Sequence, residues 1–251
     1  MIYFLLPFMG FLVGLLIISL GGGGGGIYVG ILTAIFNVPP AIAASTSLAT
    51  IIPTTAIGTV SHWKAGNINP RLGFIMLIGG SIGAIVGSLF SDVFPKNLYN
   101  KFTGLILLIL GIQMIIAFVR KKKSPEVREH KHATVIAIAF GLLGGALSGL
   151  VGISGSTPIV AGLAILGCSA LQTVGTSVMV LVGISVTGFL MHLGIGHVDW
   201  KLVGLLAAGT MTGAFAAPPL LNRFDKKKVE KVIQPVLVFI TLLFAGILFF
   251  K

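Results

Sequence analysis

Charge is what this sequence has least of. Only 9% of its 251 residues are Asp, Glu, Lys or Arg, against about 25% in a soluble domain, so most of the chain has no means of forming a solvated surface. The acids number six (Asp92, Glu126, Glu129, Asp199, Asp225 and Glu230). All lie in connections or at the ends of apolar blocks, which argues against a cation path lined by carboxylates. A single cysteine, Cys168, excludes an intrachain disulfide and any metal site built on several cysteines. No G-x-x-x-x-G-K-[ST] loop is present, which argues against drive by a nucleotide. No cofactor is expected.

Apolar length is what the chain does have. Blocks of roughly twenty apolar residues, enough to cross a bilayer as a helix, cover 2–20, 40–61, 70–90, 102–119, 133–151, 169–191, 201–221 and 232–250. The start of the chain lacks a basic segment and a small-residue cleavage site, so 2–20 is expected as a retained helix. The net charge of +11 sits in short loops between blocks. It therefore reads as charge that orients a membrane protein and not as a nucleic-acid surface. The expected partners are the lipid bilayer and a small anion, with no nucleic acid.

The chain also contains one half twice. Shifted by 130 residues without a gap, 12–101 lies on 142–231 with nineteen of ninety pairs identical. Gly22 meets Gly152, Gly25 meets Gly155, Thr46-Ser47 meets Thr176-Ser177, and His62 meets His192. The fold class expected is an all-α integral membrane protein of two homologous halves, residues 1–125 and 126–251. About eight full spans and two short segments follow, the short ones being broken or re-entrant half-helices. The basic loops at 120–131 and 222–231 both read as cytoplasmic. Both face one side only if the second half is inverted relative to the first, with the termini outward. With 35 glycines close helix approach is easy everywhere, so a homodimer is allowed but no face for it stands out.

Each half is interrupted twice at corresponding places. The first break is Gly21–Gly26, or 152–158; the second is Asn37-Val-Pro-Pro40, or Gly167-Cys-Ser169. Between them lie only about ten apolar residues, half the thickness of a bilayer core. Broken helices in lipid survive only where protein or a cavity covers the freed backbone groups, and paired breaks in two halves point to a transport site. Bare helix starts favour anions. The candidate binding residues are Gly24, Gly25, Gly26, Ser45, Thr46, Ser47, Ser154, Gly155, Ser156, Thr157, Thr176 and Ser177. The competing reading of the hydroxyls is glue between helices. His62 and His192 are candidates for proton coupling because imidazole titrates near neutrality; capping at a helix end is the alternative. Pro53 and its counterpart Gly183 are hinge candidates, and Cys168 at the second break either faces the substrate or is a small buried residue. No metal site is expected.

Two further readings stand beside a carrier. One is an anion channel. The other is an intramembrane serine protease: Gly152-Ile-Ser154-Gly155 matches the G-x-S-G of rhomboid proteases, with His192 downstream as base. The all-glycine counterpart in the first half speaks against a nucleophile.

At these same breaks the sequence resembles a known family. Gly21–Gly26 with Ile-Tyr-Val-Gly, Asn37-Val-Pro-Pro-Ala-Ile-Ala-Ala-Ser-Thr-Ser-Leu48, and Gly152–Pro158 with Gly175-Thr-Ser177 resemble the sulfite exporter TauE/SafE family of the toluene-sulfonate uptake permease superfamily. The resemblance runs from about residue 8 to 250. It departs from the family pattern at Ser154, Ser156 and Ser45. It implies a multi-pass carrier of the inner (plasma) membrane for small sulfur-containing anions such as sulfite, organosulfonates or thiosulfate. It also implies that the glycine-rich segments and Thr-Ser pairs line the substrate path.

Overall fold

The computed structural model describes residues 5–20, 24–91, 96–119, 132–193, 198–221 and 226–250. Among them every regular element is a helix. The first half comprises α1 (Leu5–Leu20), α2 (Gly25–Gly30), α3 (Pro40–Lys64), α4 (Pro70–Ser91) and α5 (Lys96–Val119). The second comprises α6 (Ala133–Val151), α7 (Ser156–Ile165), α8 (Ala170–Leu193), α9 (Trp200–Leu221) and α10 (Lys226–Phe250). The starts of α3 and α8, of α4 and α9, and of α5 and α10 are each 130 residues apart. Gly21–Gly23, the connection containing the 125/126 boundary, His197 and the 222–225 part of the second basic loop lie outside the described residues.

Among the described residues four helices, in α3, α4, α6 and α8, are long and apolar enough to cross a membrane. Their packing is that of a membrane protein. Phe74, Ile78, Ile82, Ile85 and Leu89 of α4 point outward, as do Phe239, Leu243 and Phe250 of α10, while Ser45, Thr46, Ser47, Thr50, Thr176 and Ser177 are fully buried. Water would reverse that distribution; hydrocarbon permits it, because helices there associate through small residues and side-chain hydrogen bonds. Three threonines of α3 find their acceptors within the helix itself. Thr50 donates to Thr46 O at 2.8 Å, Thr54 to Thr50 O at 3.2 Å and Thr59 to Thr55 O at 2.8 Å, so their hydroxyls are satisfied one turn back.

Glycine spacing sets the helix pairs. Gly79, Gly83 and Gly87 of α4 abut Ile138, Leu142 and Ala146 of α6, so these helices run parallel. Gly10 and Gly14 of α1 abut Leu206 and Thr210 of α9 in the same sense. The two pairs exchange under the 130-residue offset. Leu48 of α3 packs over Gly188 of α8, and His62 over Gly175. Residue numbers therefore run in opposite senses, α3 and α8 are antiparallel, and Pro53 comes level with Gly183. The helix continues through Pro53 without interruption.

The only two tryptophans of the chain, Trp63 and Trp200, are both exposed and mark opposite faces. Trp200 follows Asp199, which bonds to Thr46, and Thr46 and Trp63 are separated along α3 by about 26 Å at 1.5 Å per residue. That matches a hydrocarbon core of about 30 Å with an aromatic at each interface.

Two details differ from the sequence reading. The helices α5 and α10 start at Lys96 and Lys226, six residues before the apolar blocks at 102 and 232. A helix needs no apolar side chain where it leaves the membrane, so Lys226–Lys231, read from sequence as loop, is the first part of α10. The short segment of the first half is also one residue longer than its counterpart. It begins as α2 and continues as a π-helical turn, Ile31–Ile35, in which Phe36 N–H donates to Ile31 O at 3.3 Å. The wider turn absorbs the extra residue.

Candidate functional site

Both short segments begin on a glycine in the left-handed region. Gly24 caps α2 with φ 64° and Gly155 caps α7 with φ 61°, and neither start has a side-chain cap. Only glycine takes this conformation without cost, which is why the breaks fall where they do. Both segments end alike. Asn37 and Gly167, at equivalent positions, have φ 53° and 79°, and the following N–H groups close the helix end, Val38 onto Leu32 O at 2.9 Å and Cys168 onto Leu163 O at 3.1 Å. This is a left-handed helix terminator in both halves.

The two glycine breaks touch. Gly25 lies with its Cα directly on the Ile153–Ser154 backbone, and a side chain there would strike Ser154 N. Gly152, with φ 73°, packs against the Ala44 backbone of α3. Ser47 ties the two breaks together: its hydroxyl is 3.0 Å from Gly152 O and 3.3 Å from Gly25 O, so one hydrogen is shared between a carbonyl of each half.

The threonines of the repeated Thr-Ser pairs have a different job. Asn69 N–H donates to Thr176 Oγ1 at 2.9 Å, and Asp199 N–H donates to Thr46 Oγ1 at 3.4 Å. Each helix thus pins the chain just before α4 or α9 of the other half. Asn69 and Asp199 in turn cap those helices: Asn69 Oδ1 accepts from Leu72 N–H at 3.2 Å and Asp199 Oδ1 from Leu202 N–H at 3.1 Å. Elsewhere in the candidate set, Ser45 donates to Ile42 O at 3.0 Å and Ser177 to Val174 O at 2.9 Å. Gly26 faces the side chains of Leu107 and Ile153, and Thr157 is half-buried in the first turn of α7.

The protease geometry is not assembled. Ser154 is buried and its hydroxyl donates to Ser156 Oγ at 3.3 Å. The Nδ1 of His192 is 2.9 Å from Gly188 O and 3.4 Å from Ser88 Oγ. His192 is fully buried, whereas His62 is half-buried at the end of α3 beside Gly175. Sequence reasoning missed Ser88, Ser148 and Ser185, all fully buried, of which Ser88 lies beside His192. The available signal was a lone serine on a face otherwise made of glycine, as Ser148 is between Gly145 and Gly149.

Cys168 belongs to an apolar cluster with Met76, Ile159, Leu163 and Ile184. It is therefore a packed residue of the second break. A maleimide should label it slowly in the folded protein and fast after denaturation in detergent; fast labelling of the folded protein would show that this turn is open to solvent.

A polytopic helical bundle, apolar outside and hydroxyl-rich inside, with two glycine breaks in contact within it, has the build of a membrane transporter. The chain belongs to the Sulfite exporter TauE/SafE family, whose profile matches residues 6–245. It is 30% identical over 240 residues to the probable membrane transporter protein YdhB of Bacillus subtilis, covering 95% of this chain and 96% of that one. It is 31% identical over 250 residues to the probable membrane transporter protein MJ0441 of Methanocaldococcus jannaschii, covering 93% and 91%. A further relative, YunE of Bacillus subtilis, is 26% identical over 257 residues, covering 91% and 93%. These relatives place the chain among membrane transporters and not among enzymes.

Proposed function

We propose that this chain is a secondary transporter of small sulfur-containing anions (sulfite, an organosulfonate or thiosulfate) in the cell's inner membrane. It works by alternating access of two inverted halves. The observation that carries this reading is the direct backbone contact between the two glycine breaks, tied by Ser47 through Gly25 O and Gly152 O. Glycine at both breaks lets the peptide groups of the two halves come together at their junction without a side chain between them. Neutral donors can replace the hydration shell of an oxyanion and still release it, where a buried lysine or arginine would hold it. The antiparallel α3 and α8 support the inverted arrangement, since they are equivalent helices of the two halves running in opposite directions. The name of the family supplies the sulfur oxyanion as substrate class. Rocking of one half against the other, across the Pro53–Gly183 level, exposes the junction to either side in turn.

The test is counterflow in proteoliposomes with sulfite, thiosulfate, sulfoacetate, taurine and sulfate. Saturable counterflow with at least one sulfur anion is the expected result. Flux that never saturates and shows no counterflow would favour a channel, and no response to any of the five would remove the substrate class.

A further inference from the structure

We propose that Ser47 and the carbonyls of Gly25 and Gly152 form a sodium-ion site that couples the anion to a Na⁺ gradient, resting on the transport reading above. The starting observation is that three oxygens converge on a single hydrogen. Ser47 Oγ is 3.0 Å from Gly152 O and 3.3 Å from Gly25 O. A carbonyl only accepts, so one hydroxyl hydrogen is divided between two acceptors that belong to different halves of the chain. All three residues are buried.

The chain around Gly152 is short of partners. Residues 152–155, between the end of α6 and the start of α7, are all buried and in no helix. Among the described residues no backbone N–H bonds to the carbonyls of Gly152, Ile153 or Ser154, and the N–H groups of Ile153 and Ser154 bond to nothing. Gly152 O has the Ser47 hydroxyl alone. The break of the first half is closed by comparison, since Gly24 O accepts from Ile27 and Tyr28 N–H at 2.9 and 3.0 Å. Buried peptide groups left open inside a membrane protein are costly, and a bound solute that supplies their partners removes that cost.

Polarity sorts the solutes. The open N–H groups of Ile153 and Ser154 suit an anion, and the converging oxygens suit a cation. Gly152 O stands at the C-terminal end of α6, a helix of 19 residues, and such an end carries about half a negative charge. Separations of 3.0 and 3.3 Å are edges of an octahedral shell whose centre lies about 2.1–2.3 Å from each oxygen. That scale fits a small ion, and one as large as K⁺ would force the oxygens apart. Divalent ions ask for carboxylate ligands, whereas these three oxygens are neutral. Asp199, which meets the neighbouring Thr46 through its N–H, commits Oδ1 to the N–H groups of Lys201 and Leu202. Na⁺ is the ion that remains. In the proposed step the Ser47 hydrogen turns away, the three oxygens take Na⁺, and the anion binds the open N–H groups of the same stretch. Each charge lowers the cost of burying the other, so the coupling is reciprocal. No sequence motif announces such a site, because two of its three ligands are peptide carbonyls.

Proteoliposome transport of thiosulfate tests the proposal. In the wild type an inward Na⁺ gradient should raise accumulation at least about ten-fold over an equal K⁺ or choline gradient, with radiolabelled Na⁺ entering alongside. Na⁺ and not K⁺ should also raise the melting temperature of the detergent-solubilised protein, saturably. Ser47→Ala removes one ligand and should raise the Na⁺ concentration for half-maximal uptake about ten-fold; a purely structural bridge would lower the rate and leave that concentration in place. Ser47→Cys, close in size, exchanges a hard oxygen for a soft sulfur and should shift the same concentration, which keeps the test open should Ser47→Ala not give a monodisperse protein. Gly204→Ala should respond to Na⁺ as wild type does. An unchanged half-maximal Na⁺ concentration in the Ser47 variants overturns the site. Wild-type uptake that is indifferent to the cation, with counterflow intact, overturns the coupling and leaves the transport reading standing. Absence of counterflow for every sulfur anion in the wild type would overturn both.

Discussion

Gly25→Ala should abolish transport, while Gly26→Ala, one residue on, should be nearly silent. A methyl group on Gly25 meets Ser154 N and, at 2.9 Å, Ile153 C. These are backbone atoms of the other break and have no rotamer to turn aside. The substitution has to push the two breaks apart, and with them the Ser47 hydroxyl that reaches both carbonyls. A methyl group on Gly26 meets only Leu107 Cδ2 at 2.9 Å and Ile153 Cγ2 at 3.9 Å, the ends of side chains that can swing by a few tenths of an ångström. Overpacking against rigid surroundings costs about 1–3 kcal/mol. Spent on separating the halves at the transport site, that should lower counterflow at least ten-fold, roughly 1.4 kcal/mol being a factor of ten. The measurement is counterflow of whichever sulfur anion the wild type carries, beside the melting temperature of both variants. Equal transport by the two alanine variants would show that contact between the breaks is incidental.

Gly145→Leu should prevent assembly altogether. Gly145 sits on the Gly80 carbonyl of α4, and the adjoining contacts repeat along the helix, with Gly141 against Met76 O and Gly149 against Ala84 O. Three successive turns of α6 thus lie backbone to backbone against α4. A leucine in the middle one cannot be accommodated locally, because the atom it meets is a peptide oxygen held in its own helix. The helices must part along their length, losing the close packing that holds membrane helices together. The expected result is loss of the monodisperse peak in size-exclusion chromatography. Gly204→Ala is the control: nothing lies within 4 Å of that position, and alanine is favoured over glycine in a helix by about 1 kcal/mol. A normal peak for Gly145→Leu would mean that α4 and α6 are not packed this closely in the membrane.

Much of this arrangement could be read in advance, for reasons that differ from residue to residue. Pro40 and Pro70 start helices where the sequence blocks begin, because proline at the first helical position gives up a hydrogen bond that no helix start uses. Asn37 and Gly167 mark the second break because they tolerate the left-handed region. The extra turns of α5 and α10 were not legible, since their lysines interrupt an apolar block without interrupting a helix. The Thr-Ser pairs were legible as positions but not as roles. Thr46 and Thr176 each accept from a backbone N–H more than a hundred residues away, while Ser47 bridges two breaks. Nothing in the local sequence separates a hydroxyl committed to a distant amide from one facing a ligand path. The same holds for the two histidines, equivalent in register yet different in burial.

The amino-acid sequence by itself determined the membrane class, the all-helical build and the glycine and asparagine positions at which the described short segments begin and end. Those properties rest on apolar length and on backbone conformations that only certain residues adopt. Tertiary structure alone decided that the breaks touch, that Ser47 joins them, that α4 lies against α6 and α1 against α9, and that His192 is sealed in while His62 is not. Each of these depends on how helices far apart in the chain cross, and the crossing is set by the summed fit of many small faces rather than by any one stretch of residues.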